Sequence, residues 1–236
     1  MPRTVDVAFL PAAARPADVT VVIDVLRATT TIVQAIEAGY RRVICVDTLE
    51  RARALAAPGR VLAGERRCVR PPGFDLGNSP VETVPPRGDE LVLATTNGAP
   101  AIVRAAALSP LVVIACLRNL DAVIEAVPAG DVQLLCAGTD GRPSLEDCYV
   151  AGRIAARLDA RRSDSALIAC AVGRAYAGAR EALAAGAGGS ALAAVGLGSD
   201  VAWCAEESVV AVVPTLCETG DGVAIVHDGN RAPRRP

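Results

Sequence analysis

The chain has 236 residues, 52% of them hydrophobic, and a formal net charge of −2. That length buries one large core or two small ones, and the composition is that of a globular chain, not a disordered one. A near-neutral charge argues against a nucleic-acid partner, which needs a basic face. All 24 basic residues are arginine, so Schiff-base chemistry, a phosphate-loop lysine and a kinase-type lysine are excluded.

The first residues lack a basic stretch leading into an apolar one, so no signal peptide is expected. No apolar run approaches the roughly 18 residues needed to span a bilayer, so no membrane partner is expected either. The eight cysteines form no CxxC pair and read as reduced thiols, which together points to a cytoplasmic protein. The single histidine, His227, cannot supply a two-histidine phosphatase site or most zinc sites, and reads as an ordinary edge or turn residue.

In chain order, "VDVAFL" and "VTVVIDV" read as strands, and "TTTIVQAIEAG" as a helix stopped by Gly39. "RRVICV" reads as a strand, "TLERARALAA" as a helix and "RVLAGE" as a strand. Residues 66–88, "RRCVRPPGFDLGNSPVETVPPRG", are proline-rich and aperiodic, a length of loop that is usually functional. Alternation resumes with strand "ELVLAT", helix "APAIVRAAA", strand "LVVIACL", helix "LDAVIEAV" and strand "DVQLLCAG". Helices follow from "SLEDCYVAGRIAARLD" through "DSALIACAVGRAY" and an Ala/Gly-rich run to about residue 207. Strands "VVAVVPTL" and "GVAIVH" come before the tail "RAPRRP". The pattern predicts an α/β fold with largely parallel sheets, divided into halves 1–87 and 88–236.

In such folds ligands bind beyond the carboxyl ends of strands. The second strand delivers Asp24, Arg27 and Thr29 there, "VLAGE" delivers Glu65, and "LVLATTNGAP" delivers Thr96, Asn97 and Gly98. "LLCAGTDGRPSLED" delivers Ser144, Glu146 and Asp147, and the long loop adds Asp75, Asn78 and Ser79. Carboxylates and amides without a second histidine or paired cysteines favour Mg²⁺ over zinc. "TTNG" and "GRPS" read as turns feeding helix N-termini, where free N–H groups suit phosphate, with Arg27 as a bidentate clamp. Each piece has a plainer reading as well: Asp24 and Thr29 as helix caps, and Ser144 with Asp147 as a capping box.

One other chemistry fits part of the chain, and two more fail on it. "CAGTDGR" spells C-x5-R, the spacing of a cysteine phosphatase with Cys136 as nucleophile and Arg142 at the phosphate. "CVDTLER" has the same spacing with two acids inside it, so the pattern is cheap. A haloacid-dehalogenase strand needs a second Asp where this chain has Leu26, and no strand is followed by the GxGxxG of a nicotinamide site.

Taken together, "VIDVLRATTTI", "AGE", "GFDLGNSP", "TTNGA" and "CAG…GRPSLED" resemble the 2-phosphosulfolactate phosphatase family over nearly the whole chain. The resemblance implies two three-layer α/β/α halves with the active site in the cleft between them. It also implies Mg²⁺-dependent hydrolysis of 2-phosphosulfolactate to sulfolactate and phosphate, a step towards coenzyme M. The matching positions are Asp24, Arg27, Thr29, Glu65, Asp75, Asn78, Ser79, Thr96, Asn97, Gly98, Ser144, Glu146 and Asp147. Asp24, Arg27, Glu65, Glu146 and Asp147 are then the catalytic set, with metal on a subset of the four acids. Thr29, Asn78, Ser79, Thr96, Asn97, Gly98 and Ser144 would bind substrate or phosphate. The expected partner is a small anionic phosphate ester, and a non-catalytic phospho-metabolite binder is the alternative of another class. The sequence is compatible with a homo-oligomer but does not select one.

Overall fold

A computed structural model of the chain describes residues 3–229; the tail "RAPRRP" lies outside them. The fold is three-layer α/β/α, of the class the alternating pattern predicts. Ten strands form one sheet in the order β4-β5-β3-β10-β9-β6-β2-β7-β1-β8. They are β1 (Thr4–Ala8), β2 (Val19–Ile23), β3 (Arg42–Val46), β4 (Arg60–Gly64), β5 (Glu90–Ala94), β6 (Leu111–Ala115), β7 (Val132–Cys136), β8 (Arg161–Arg162), β9 (Pro214–Gly220) and β10 (Val223–Asp228).

Two parallel blocks make up the sheet. One is β4-β5-β3 and the other β6-β2-β7-β1-β8, and the antiparallel hairpin β9–β10 joins them. Both outer joints of the hairpin, β10 with β3 and β9 with β6, are antiparallel as well. Three reversals in succession leave the two blocks running in opposite senses. The loop expected near residue 87 lies before β5, and strands from either side of it interleave in both blocks.

The central strands are apolar on both faces, as strands covered on two sides must be. β2, β5 and β7 are buried at every position. Helices α1 (Ala28–Ala38), α2 (Leu49–Ala54), α3 (Gly98–Ala106), α4 (Leu120–Ala126) and α5 (Leu145–Arg157) follow β2, β3, β5, β6 and β7. Residues Ala28 to Ile36 of α1 are all buried, and the helix packs on β6 and on β3, strands of opposite blocks. α3 likewise touches both blocks, at β2 and at β3. These two crossover helices therefore tie the blocks together.

The Ala/Gly-rich run becomes three helices, α7 (Ala179–Ala185), α8 (Ala187–Ala194) and α9 (Gly198–Cys204), after α6 (Asp164–Arg174). One expected strand moves. "VVAVVPTL" contributes only from Pro214 onward, because Ser208, Val209 and Val210 donate their N–H groups to Leu117 and Arg118 carbonyls in the loop after β6. Strand β8, two arginines pairing with β1, has no apolar pattern to predict it. His227 lies in β10, paired with Thr215 of β9 in the interior of the sheet, and so is not the edge or turn residue expected. Among the described residues no helix is long and apolar enough to cross a membrane.

Candidate active site

Three helix N-termini meet at the end of β2. Asp24 follows Ile23 directly, and its Oδ1 accepts the Ala28 N–H at 3.3 Å in the first turn of α1. Gly98, the first residue of α3, stands so close that a Cβ there would lie 2.5 Å from Ala28 Cβ and 2.8 Å from Asp24 Oδ2. Only glycine lets α1 and α3 start side by side over that carboxylate. The third N-terminus is that of α5, whose Asp147 reaches back to β2 and takes the Val25 N–H on Oδ1 at 2.9 Å.

Asp147 ties strand ends together. Its Oδ2 accepts the Gly138 N–H at 3.1 Å and the Ser144 hydroxyl at 2.8 Å, so one carboxylate joins the ends of β2 and β7 to the start of α5. Ser144 occupies the N-cap position, but its hydroxyl goes to this carboxylate and not to a backbone N–H. The expected capping box is thus replaced by a side-chain pair. Thr29 also has a local task, its Oγ1 accepting the Asp24 N–H at 3.1 Å. Thr95, not Asn97, caps α3, taking the Ala99 N–H at 2.9 Å.

Glu65 stands just past β4 and is half-buried. Its Oε1 accepts the Thr96 hydroxyl at 2.8 Å and the Thr96 N–H at 3.3 Å, and its Oε2 accepts the Cys68 N–H at 3.2 Å. Asp75 points away from this group and holds the long loop to β4 through the Leu62 N–H at 2.8 Å. Asn78 and Ser79 are buried; the Asn78 carbonyl accepts the Thr31 hydroxyl at 3.2 Å, while its Oδ1 has no partner among the described residues.

Glu146 is the outlier. It is 2% exposed, and its Oε2 has no hydrogen-bond partner among the described residues. Two glycines at the start of α8 make room for it: a Cβ on Gly186 would lie 2.5 Å from Oε2, and one on Gly188 2.2 Å from Oε1. The electrostatics agree with the burial. Desolvation, helped by the charges of Glu65 and Glu146, pushes the Asp24 carboxyl up to about 7. Burial raises Glu146, and burial with the Asp24 and Glu146 charges raises Asp147 well above the usual carboxylate range.

The acids are therefore close enough to repel, with Arg27 the one cation acting on Asp24, and Arg27 is itself ion-paired. Its Nη1 donates to Asp200 Oδ2 at 2.7 Å and its Nη2 to the Cys68 carbonyl at 2.9 Å. Asp200, 2% exposed in α9, also accepts the Ser79 hydroxyl at 2.8 Å. Sequence reasoning missed it, because an acid in the first turn of a helix reads as an ordinary dipole partner.

Among the described residues no three or more His, Cys, Asp or Glu side chains gather into a ready cluster. Mg²⁺ asks for less, commonly one or two carboxylates with waters and substrate phosphate. Asp147 and Glu65 are occupied by protein donors on both oxygens, whereas Asp24 Oδ2 and Glu146 Oε2 accept none among the described residues. Those two acids fit the ion; the four-acid set does not. The cysteine alternative fares worse. Cys136 is fully buried, and its hydrogen bond with Cys148, burial and the neighbouring acids hold the thiol well above its ordinary range. Arg142 sits in an exposed turn. A buried, protonated thiol is a poor nucleophile.

Known proteins resemble this chain over most of its length. A probable 2-phosphosulfolactate phosphatase of Deinococcus radiodurans is 43% identical over 215 residues, covering 86% of this chain and 90% of that protein. Proteins of the same printed name from Thermus thermophilus and Thermotoga petrophila are 41% identical over 208 residues and 39% over 231. The former match covers 84% of this chain and 88% of the relative, the latter 95% and 99%. The family described as 2-phosphosulpholactate phosphatase matches residues 7–219, a span that contains every candidate site residue named above, and the chain belongs to that family.

Proposed function

We propose that this protein is a phosphoric monoester hydrolase that converts 2-phosphosulfolactate to sulfolactate and phosphate, with Mg²⁺ held by Asp24 and Glu146. The observation that carries the reading is the pair of buried acids whose outer oxygens have no protein donor, placed where three helices begin. Uncompensated buried carboxylates are costly, and a cation is what relieves them. Bound there, Mg²⁺ would polarise a phosphoryl oxygen and offset the charge that develops during transfer.

The chain's own groups do the rest. In α1 the Ala28 and Thr29 N–H groups are already taken by Asp24, and in α3 the Ala99 N–H by Thr95, so the donors left for phosphate oxygens are the Gly98 N–H and the first N–H groups of α5. The attacking water would give up its proton to a carboxylate oxygen of Asp24 or Glu146 that the ion leaves free. Asp147 and Glu65 keep β2, β4, β5 and β7 in register around the acids through their backbone hydrogen bonds.

Phosphate release from 2-phosphosulfolactate, measured in EDTA and again with Mg²⁺ restored, tests both halves of the proposal. Activity that vanishes in EDTA, returns with Mg²⁺ and is lost in Asp24→Asn and Glu146→Gln is the expected result. Full activity in EDTA removes the metal. Loss in Cys136→Ser with Mg²⁺ present would restore the thiolate mechanism.

A further inference from the structure

A cavity of about 330 Å³ lies against Arg27, with Arg70, Ser79, Glu82, Val195 and Leu197 among its other lining residues. Asp200 does not line it. It sits behind, with one carboxylate oxygen on Arg27 Nη1 at 2.7 Å and the other on Ser79 Oγ at 2.8 Å. We propose that Asp200 is a positioning residue that gives the site its preference for esters bearing a second acid group, by presenting Arg27 and Ser79 as an anion-binding wall of this cavity.

The physical argument begins with Arg27, which is 3% exposed. A guanidinium this deep is stable only when paired, and Asp200 supplies the pairing from the side away from the cavity. Arg27 has five N–H donors, and among the described residues two are engaged, by Asp200 and by the Cys68 carbonyl. The others remain for an acceptor in the cavity. Arg70 adds a second guanidinium, hydrogen-bonded to the Asp75 carbonyl and without a carboxylate partner in ion-pair range among the described residues. Glu82 is the cavity's one acid, and its Oε2 accepts the Gly77 N–H at 2.6 Å.

The wall reads the acid end of the ester, because the phosphate has to reach Asp24 and Glu146. Cys68 links the two regions, donating its N–H to Glu65 while its carbonyl accepts from Arg27. The cavity also has apolar walls at Val195 and Leu197, suited to the carbon that carries the acid. This inference rests on the phosphatase reading for the choice of ester.

The test compares kcat/KM for 2-phosphosulfolactate with that for glycerol 2-phosphate, whose carbon frame has only neutral hydroxyls. In Asp200→Asn the ratio of the two falls about tenfold or more, as expected for loss of a charge-assisted contact. Arg27→Met lowers the same ratio, and adding Asp200→Asn to Arg27→Met lowers it no further. Equal losses on both esters, leaving the ratio unchanged, would make Asp200 merely structural and overturn the proposal. Should Asp200→Asn fail to fold, Ser79→Ala, which keeps the ion pair, is expected to lower the ratio by a smaller factor; an unchanged ratio there counts against the wall. If the wild-type protein hydrolyses neither ester, the phosphatase reading fails separately. Sulfolactate titrated against the fluorescence of Trp203, the single tryptophan and three residues beyond Asp200, then decides the subsite. Binding that weakens about tenfold in Asp200→Asn or Ser79→Ala supports it; no binding, or equal affinities, rejects it.

Discussion

The protein buries carboxylates in two opposite ways. Glu90 starts β5, in register with Arg42 at the start of β3 and Arg60 at the start of β4. It receives Arg42 Nε at 2.7 Å and Arg60 Nε at 2.9 Å, and Arg41 as well. Burial alone would raise its pKa, but these hydrogen bonds outweigh burial and hold it at about 2. Asp24 lies past the carboxyl end of β2, equally buried, and is pushed the other way, to about 7. At the amino ends of the strands charge is matched and serves stability. At the carboxyl end of β2, Asp24 Oδ2 is left without a donor among the described residues, and such an acid is a vacancy for chemistry.

The sharpest way to break that contrast is to neutralise one acid of each kind. Asp24→Asn should lower phosphate release at saturating Mg²⁺ on the order of 10³-fold, the scale of a removed acid–base or metal-bearing group. Without metal the same variant should be more stable than wild type at pH 8 in urea melts, since it removes repulsion. Reduced stability together with retained activity would refute the assignment.

The pH dependence of unfolding in EDTA sharpens the comparison. Asp24 has a raised folded pKa, so the folded state holds its proton more tightly than the unfolded chain. Its contribution is fully present below about pH 4 and is lost as pH rises towards 7. Glu146 and Asp147 act with the same sign. Glu90 has a lowered pKa, so its contribution is present above about pH 4.5 and is lost as pH falls towards 2. Urea unfolding across pH 3–8 should therefore decline on both flanks, with Asp24→Asn flattening the upper one and Glu90→Gln the lower.

Glu90→Gln should cost about 2–3 kcal/mol at neutral pH, less than a fully buried pair because Arg41 and Arg42 reach solvent. Its kcat should stay at the wild-type value; a large fall in kcat would mean the two regions are coupled. The smallest effect expected is that of Gly188→Ala. The added Cβ would lie 2.2 Å from Glu146 Oε1, so the carboxylate has to move. A misplaced acid should lower kcat about 10- to 100-fold, with little change in the urea midpoint, and an unchanged kcat would place Glu146 outside the chemistry.

Most of the sheet was legible because each central strand is an apolar run bounded by turn residues, as in "VTVVI" and "ELVLA". The site's acids were legible for the same reason, since they follow those runs directly. What each acid does was not legible. Asp147 and Asp24 look equivalent in sequence, yet one is filled by three donors and the other is left with an open oxygen. That difference depends on which strand ends touch, and periodicity carries no such information. Asp200 was hidden for a related reason, its partner Arg27 being 173 residues away. Gly186 and Gly188 were hidden in an Ala/Gly-rich run whose composition suggests slack chain, whereas their missing side chains are the space Glu146 occupies.

The β9–β10 hairpin has a consequence for how the protein is made. Its strands follow every other strand of the sheet along the chain, yet it is the seam between β3 and β6 in the middle of the sheet. Until it arrives, both blocks have an unpaired strand, "RVICV" on one and "LVVIA" on the other, and such apolar edges invite association between chains. A premature stop before Pro214 would leave those edges open permanently. The sheet cannot be completed during synthesis from either end; it closes from its centre, once all its other strands have been made.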